Sequence, residues 1–148
     1  MSIKGFRNII CLCFFMSALI TSKCFGTTFG SIQVNVSVSE QTMYVYENGL
    51  LAHQWPVSTA RSGKVTPKGS WTAKWLSKYH KSSRYNNAPM PFAIFYDGNY
   101  AVHVTNQISK IGTPASAGCI RLHPQNAEIL FNKVKSVGLD QAIISVTD

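Results

Sequence analysis

From Ser31 to Ser39 the chain alternates without a break. Ile32, Val34, Val36 and Val38 face one way and polar side chains the other, the period of a strand covered on one face. Met43 to Tyr46 continues in the same style. Asn48-Gly49 then supplies a dipeptide that tolerates positive φ at both centres of a tight hairpin turn, so Leu50 to Val57 is predicted as the returning strand. Thr66-Pro67-Lys68-Gly69 has proline and glycine where a β-turn uses them, and it leads into an apolar element from Trp71 to Leu76. Phe92 to Tyr96 and Tyr100 to Val104 are predicted as two strands joined around Asp97-Gly98. After a loop from Ile111 to Gly118, a short strand from Cys119 to Leu122 puts Cys119 and Arg121 on one face, because side chains alternate. A last strand is expected around Ile143, Ile144 and Val146.

Only one segment carries a helical period. Ala127, Leu130, Phe131, Val134 and Val137 form an apolar stripe, with Pro124 suited to the first turn and Gly138 just past the end. The sum is a mainly β domain with one packed α-helix. Between Ser77 and Pro91 regular patterning fails. Lys78, Lys81, Arg84, Tyr79, Tyr85 and two prolines predict a long basic and aromatic loop, either a solvated connection or a substrate-facing lid.

The first residues are of another kind. Lys4 and Arg7 precede an apolar run from Ile9 to Ile20, and small and polar residues follow up to Gly26. That is the layout of a secretory leader, and the run falls short of the ~20 residues that cross a hydrocarbon core. The chain therefore divides into a signal peptide over residues 1–26 and one domain over residues 27–148, exported to the periplasm or cell-wall space. Three cysteines, Cys11, Cys13 and Cys24, fall in the leader, and Cys119 alone remains. An unpaired thiol in an oxidising compartment calls for a reason, and two stand open: reactivity, or burial as a small hydrophobe. Without the leader, eleven Lys and Arg stand against six Asp and Glu, a net +5. Solubility alone suffices to explain that charge; if it serves a partner, export favours an extracytoplasmic polyanion and argues against nucleic acid. No close-spaced pair of the His-x-x-x-His or Cys-x-x-Cys kind is present, so neither a metal nor another cofactor is expected.

A cysteine nucleophile needs a base, donors for the oxyanion that forms at an attacked carbonyl, and a pocket for the substrate. Ser116-Ala117-Gly118-Cys119-Ile120-Arg121 can supply several of these. Gly118 permits a tight path that can aim its own N–H and that of Cys119 at one point. Arg121 can clamp a substrate carboxylate with its planar fork of donors, or pair with a structural Asp or Glu. Of the four histidines, His103 is the base candidate, since it ends a hydrophobic strand and precedes the loop that delivers Cys119; His53, His80 and His123 lack comparable settings. A lone His at a strand end is more often structural than catalytic, so spacing alone does not decide its role.

Together, Tyr100-Ala-Val-His103, Gly112-Thr-Pro-Ala-Ser116 and Gly118-Cys-Ile-Arg-Leu122 resemble the catalytic signature of L,D-transpeptidases of the YkuD type. Pro56-Val-Ser-Thr59 and Thr66-Pro-Lys-Gly69 match the family's style as well. The resemblance implies a β-sandwich-like catalytic fold, Cys119 as the acylated nucleophile and His103 as general base, oriented by a backbone carbonyl, with Asp97 an outside candidate. It also implies that Ser116, Ala117, Gly118 and Arg121 shape the oxyanion and substrate site. The expected substrates are peptidoglycan stem peptides, with an amine of a second stem or of a wall-anchored protein as acceptor. Two alternatives stand beside this: a carboxypeptidase or amidase that uses water, and a non-catalytic wall-binding module. The sequence departs from the family pattern at Ala117, where many members carry histidine, and at Val104, where many carry glycine.

Overall fold

The computed structural model describes residues 30–148, so the leader expected over residues 1–26, with its three cysteines, lies outside the described residues. Nine strands and one α-helix follow in chain order: β1 Ile32–Ser37, β2 Thr42–Glu47, β3 Leu50–Pro56, β4 Gly69–Thr72, β5 Trp75–Lys81, β6 Pro89–Asp97, β7 Tyr100–Val104, β8 Ile120–Leu122, α1 Pro124–Val137 and β9 Ala142–Thr147. They form a five-stranded sheet ordered β3-β2-β1-β9-β4 and a four-stranded sheet ordered β5-β6-β7-β8.

Local chemistry accounts for the first hairpin. Asn48 and Gly49 adopt φ of 52° and 81°, both positive as a two-residue turn of this hand requires. β9 lies parallel to β1, with Val34 opposite Ile144, so the two ends of the described chain meet in the middle of one sheet. The alternating residues Ile32, Val34 and Val36 are buried and meet Ile94, Tyr96, Val102, Ile120 and Leu122 from the other sheet. This shared core makes the fold the expected β-sandwich-like one. α1 lays Leu130, Phe131 and Val134 against β6, β7 and β1. Burying each of those three side chains contributes about 1.5–3 kcal/mol.

Two elements differ from the pattern expected of them. The stretch from Trp71 to Leu76 is not one strand, because the chain crosses there between sheets: β4 pairs with β9, and β5 pairs with β6. The basic stretch from Ser77 to Pro91 is not one long loop either, since β5 and the start of β6 occupy most of it. β5 is an edge strand with much of its surface exposed, which erases its hydrophobic alternation. In β6, Phe92 takes φ of 51°, and Met90 and Ala93, three residues apart, pack in one cluster. A period of two cannot be read through such a kink.

Candidate active site

The second sheet has two working faces. Val102, Ile120 and Leu122 point into the shared core, so their strand neighbours Ala101, His103 and Arg121 point outward. β7 and β8 are parallel, with His103 directly opposite Arg121 and Val102 opposite Ile120. Side chains at such paired positions share a face, so His103 and Arg121 lie together on adjacent strands; Cys119 stands one residue before β8, which starts at Ile120 and not at Cys119 as expected, and lines the same cavity as those two. Cys119 packs there against a small cluster made by Met90, Ala93, Phe95 and Ala101.

The loop before β8 is held by the segment after β3. Ser58 and Arg121 exchange two backbone hydrogen bonds of 3.0 and 2.9 Å, and the Ser116 N–H donates to the Thr59 carbonyl at 2.8 Å. Ser116 is fully buried, and its Oγ accepts the Gly118 N–H at 2.9 Å. Gly118 sits at φ of 135°; a Cβ there would lie 2.5 Å from the Tyr100 ring and 2.8 Å from the Val65 carbonyl oxygen. Only glycine fits that place. The Gly118 N–H is thus engaged inside the loop, which leaves the Cys119 N–H as the better placed of the two donors considered for an oxyanion.

His103 is buried, and its Nδ1 lies 2.7 Å from the Val104 carbonyl oxygen. A carbonyl only accepts, so Nδ1 carries the proton and Nε2 is left as the basic nitrogen. Orientation by a backbone carbonyl is therefore what the structure shows, and Asp97 makes no hydrogen bond to the ring. Burial brings the imidazole down to about 4; the Val104 hydrogen bond opposes that shift, while Arg121 and His80 add to it. Burial likewise pushes the Cys119 thiol up, against the pull of the Ala101 backbone and of Arg121. The sulfur also contacts the Asn99 carbonyl oxygen at 3.9 Å. At neutral pH the pair rests as thiol and neutral imidazole.

Arg121 donates to Gln107 Oε1 at 2.9 Å and to the Ala115 carbonyl at 3.5 Å, and no Asp or Glu among the described residues pairs with it. Arg61, which sequence reasoning did not single out, donates to the Ser116 carbonyl at 3.2 Å and lines the same cavity. That cavity has a volume of about 470 Å³ and is walled by His103, Ser116, Ala117, Cys119 and Arg121, by Arg61, and by the Ser82–Tyr85 turn with Arg84. No Asp or Glu lines it. Its size suits a peptide-sized ligand, and its charge suits an anionic one. No group of three or more His, Cys, Asp or Glu is arranged to hold a metal ion among the described residues.

A basic cavity centred on an unpaired cysteine and a buried histidine, on the outer face of one sheet of a sandwich, defines a candidate cysteine acyl-transfer site. The profile of the YkuD family, described as the L,D-transpeptidase catalytic domain, matches residues 31–144, and the chain belongs to that family. The L,D-transpeptidase YkuD of Bacillus licheniformis is 28% identical over 102 residues, covering 66% of this chain and 56% of that protein. The L,D-transpeptidase YbiS of Escherichia coli K12 is 28% identical over 124 residues, covering 67% of this chain and 40% of that protein. The chain thus spans about half the length of the curated relatives it matches. Among solved structures, an L,D-transpeptidase from Mycobacterium smegmatis superposes with a TM-score of 0.71 at 20% identity, over 80% of this chain and 59% of that one. One from Mycobacterium tuberculosis H37Rv gives 0.71 at 22% identity, over 80% and 58%. These two likenesses show the fold.

Proposed function

We propose that the chain is a cysteine-dependent L,D-transpeptidase acting on peptidoglycan stem peptides, with Cys119 as nucleophile and His103 as general base. One observation carries this reading: the only cysteine among the described residues shares an acid-free cavity with a histidine whose Nδ1 is already committed to a carbonyl. Cys119 gives its proton to His103 Nε2 as Sγ attacks the carbonyl of an L-centre, such as diaminopimelate in a tetrapeptide stem. The tetrahedral oxyanion collapses, the terminal D-alanine leaves with a proton returned by His103, and a thioester remains. An amine of a neighbouring stem, or of a wall-anchored protein, then attacks the thioester and releases Cys119. Ser116, Ala117 and Gly118 form the loop wall on the oxyanion side.

Arg121 and Arg61 carry the recognition of stem carboxylates in this reading, since their guanidinium groups meet only neutral acceptors among the described residues. Residues 1–26 act as a signal peptide that exports the domain of residues 27–148 to the periplasm or cell-wall space. Among the described residues no helix is long and apolar enough to cross a membrane. Incubation of residues 27–148 with a purified tetrapeptide-stem muropeptide tests the reaction. Loss of D-alanine with two stems joined supports transfer, loss of D-alanine with gain of water assigns the acceptor to water, and an unchanged muropeptide rejects this donor.

A further inference from the structure

One buried hydroxyl ties the segment after β3 to the residue before Cys119. Thr66 is 4% exposed. Its Oγ1 accepts the Ala60 N–H at 3.0 Å and donates to the Gly118 carbonyl oxygen at 2.9 Å. With an acceptor site and its single hydrogen both engaged, the hydroxyl has no freedom to turn. Gly118 has none either. Its N–H is held by Ser116 Oγ at 2.9 Å, and the Tyr100 ring and the Val65 carbonyl fill the space a Cβ would need.

The peptide between Gly118 and Cys119 is planar and trans, so its C=O and N–H point in opposite directions. A fixed Gly118 carbonyl therefore fixes the Cys119 N–H, which points away from Thr66. No backbone acceptor takes that N–H among the turn and loop hydrogen bonds of the described residues. Cys119 itself lines the cavity, whereas Thr66 does not. A donor beside a nucleophile, held in direction and without a partner, is what a developing oxyanion requires.

We infer that Thr66 is a positioning residue: by gripping the Gly118 carbonyl it aims the Cys119 N–H at the oxygen that turns negative when Sγ attacks a carbonyl. The inference rests on the reading of Cys119 as a nucleophile toward carbonyls, and not on the identity of the stem. Thr66 touches no reacting atom. A purely structural staple would hold the loop together and affect every reaction of the thiol alike. A positioning residue affects only those that pass through an oxyanion.

Two reagents separate these roles. With p-nitrophenyl acetate, a bond forms between Sγ and the carbonyl carbon, the thiol proton passes to His103, an oxyanion appears, and p-nitrophenolate leaves with the electron pair of the broken C–O bond. With iodoacetamide, Sγ bonds to a tetrahedral carbon, iodide leaves, and no oxyanion forms. Both rates are measured on wild type, Thr66→Val and Thr66→Ser, with circular dichroism as the check of folding. Thr66→Val is expected to slow acylation about ten- to hundredfold while alkylation stays within about twofold, because misaiming one oxyanion donor costs on that order. Thr66→Ser keeps the hydroxyl and restores the wild-type ratio. If Thr66→Val does not fold, Thr66→Cys, of similar size and a much weaker donor, is read in its place. Equal slowing of both reactions, or no change in their ratio, overturns the inference. An enzyme acylated by the ester but inert toward tetrapeptide stems leaves it standing and rejects the proposed donor instead.

Discussion

His103 is buried, and its ring titrates far from where a free imidazole would. Desolvation is the main reason its imidazole titrates at about 4, so it remains a neutral base through the whole range in which a free histidine would become protonated. The acid limb of kcat/KM is accordingly expected near pH 4 and not near 6.5, in a pH–rate profile with the stem substrate. The Cys119 thiol is shifted the other way, and the rate of alkylation by iodoacetamide should rise through an inflection above the ordinary thiol value of about 8.5. Gly118 illustrates a different constraint. Its φ of 135° and the contacts awaiting a Cβ make Gly118→Ala costly, by about 1–3 kcal/mol for the backbone conformation alone and more for the overlap with Tyr100 and Val65. A thermal melt reads the loss of stability. The cysteine count left the role of Cys119 open, and it was the resemblance of their motifs that singled out Cys119, His103 and Arg121, which the structure brings to one cavity. Thr66 was visible only as the start of a family motif and of an expected β-turn, which the structure does not form since Gly69 opens β4, and Arg61 and Gln107 were not visible at all. Their partners lie far along the chain, and no local pattern announces a contact between Thr66 and Gly118 or between Arg61 and Ser116.

At the scale of elements, the site depends on alternation along β7 and β8. Inward Val102, Ile120 and Leu122 anchor the strands in the core, which obliges His103 and Arg121 to face the cavity that Cys119, just before β8, also lines. α1 supports these strands from behind through Leu130, Phe131 and Val134. Leu130 is fully buried, and Leu130→Ala is expected to destabilise the domain by about 2–5 kcal/mol, read by denaturant unfolding. Elements with a clean period, β1, β2 and α1, could be read directly because one face is buried and the other is not. β5 could not, since an edge strand carries exposed side chains on much of its length. Nor could the start of β6, where Pro89 and Pro91 argue against a strand and Phe92 breaks the alternation. That region nevertheless reaches the site, because Arg84 and Tyr85 in the connection between β5 and β6 line the cavity.

For the whole molecule, the mismatch between acid-poor cavity and acid-bearing surface gives the charge a direction. The carboxylates that form ion pairs, Glu47 and Asp148, meet His53, Lys133 and Lys68 away from the cavity, and none offsets Arg61, Arg84 or Arg121. Arg121→Ala should raise KM for a stem peptide about tenfold or more, the scale of a lost hydrogen bond between charged groups. Unchanged turnover and affinity would remove Arg121 from substrate recognition. His103 also links the site to the stability of the fold. Above pH 6.5 neither the native nor the unfolded chain protonates it. Between 6.5 and about 4 the unfolded chain takes up a proton that the native one refuses, so stability falls as pH falls through that window and levels off below it. The loss amounts to about 3 kcal/mol. Melting temperatures measured from pH 7 to pH 3.5 should show that decline, and His103→Asn should flatten it.

The central claim is that Cys119 carries the acyl group, and intact-protein mass spectrometry addresses it most directly. Residues 27–148 would be incubated with a purified tetrapeptide-stem muropeptide beside the Cys119→Ala variant. The account predicts an adduct on the wild type equal to the stem minus D-alanine, held as a thioester labile to hydroxylamine, and no adduct on the variant. An adduct of the same mass on Cys119→Ala, or a folded wild type with a free thiol that releases D-alanine by a route needing no Cys119, would contradict it.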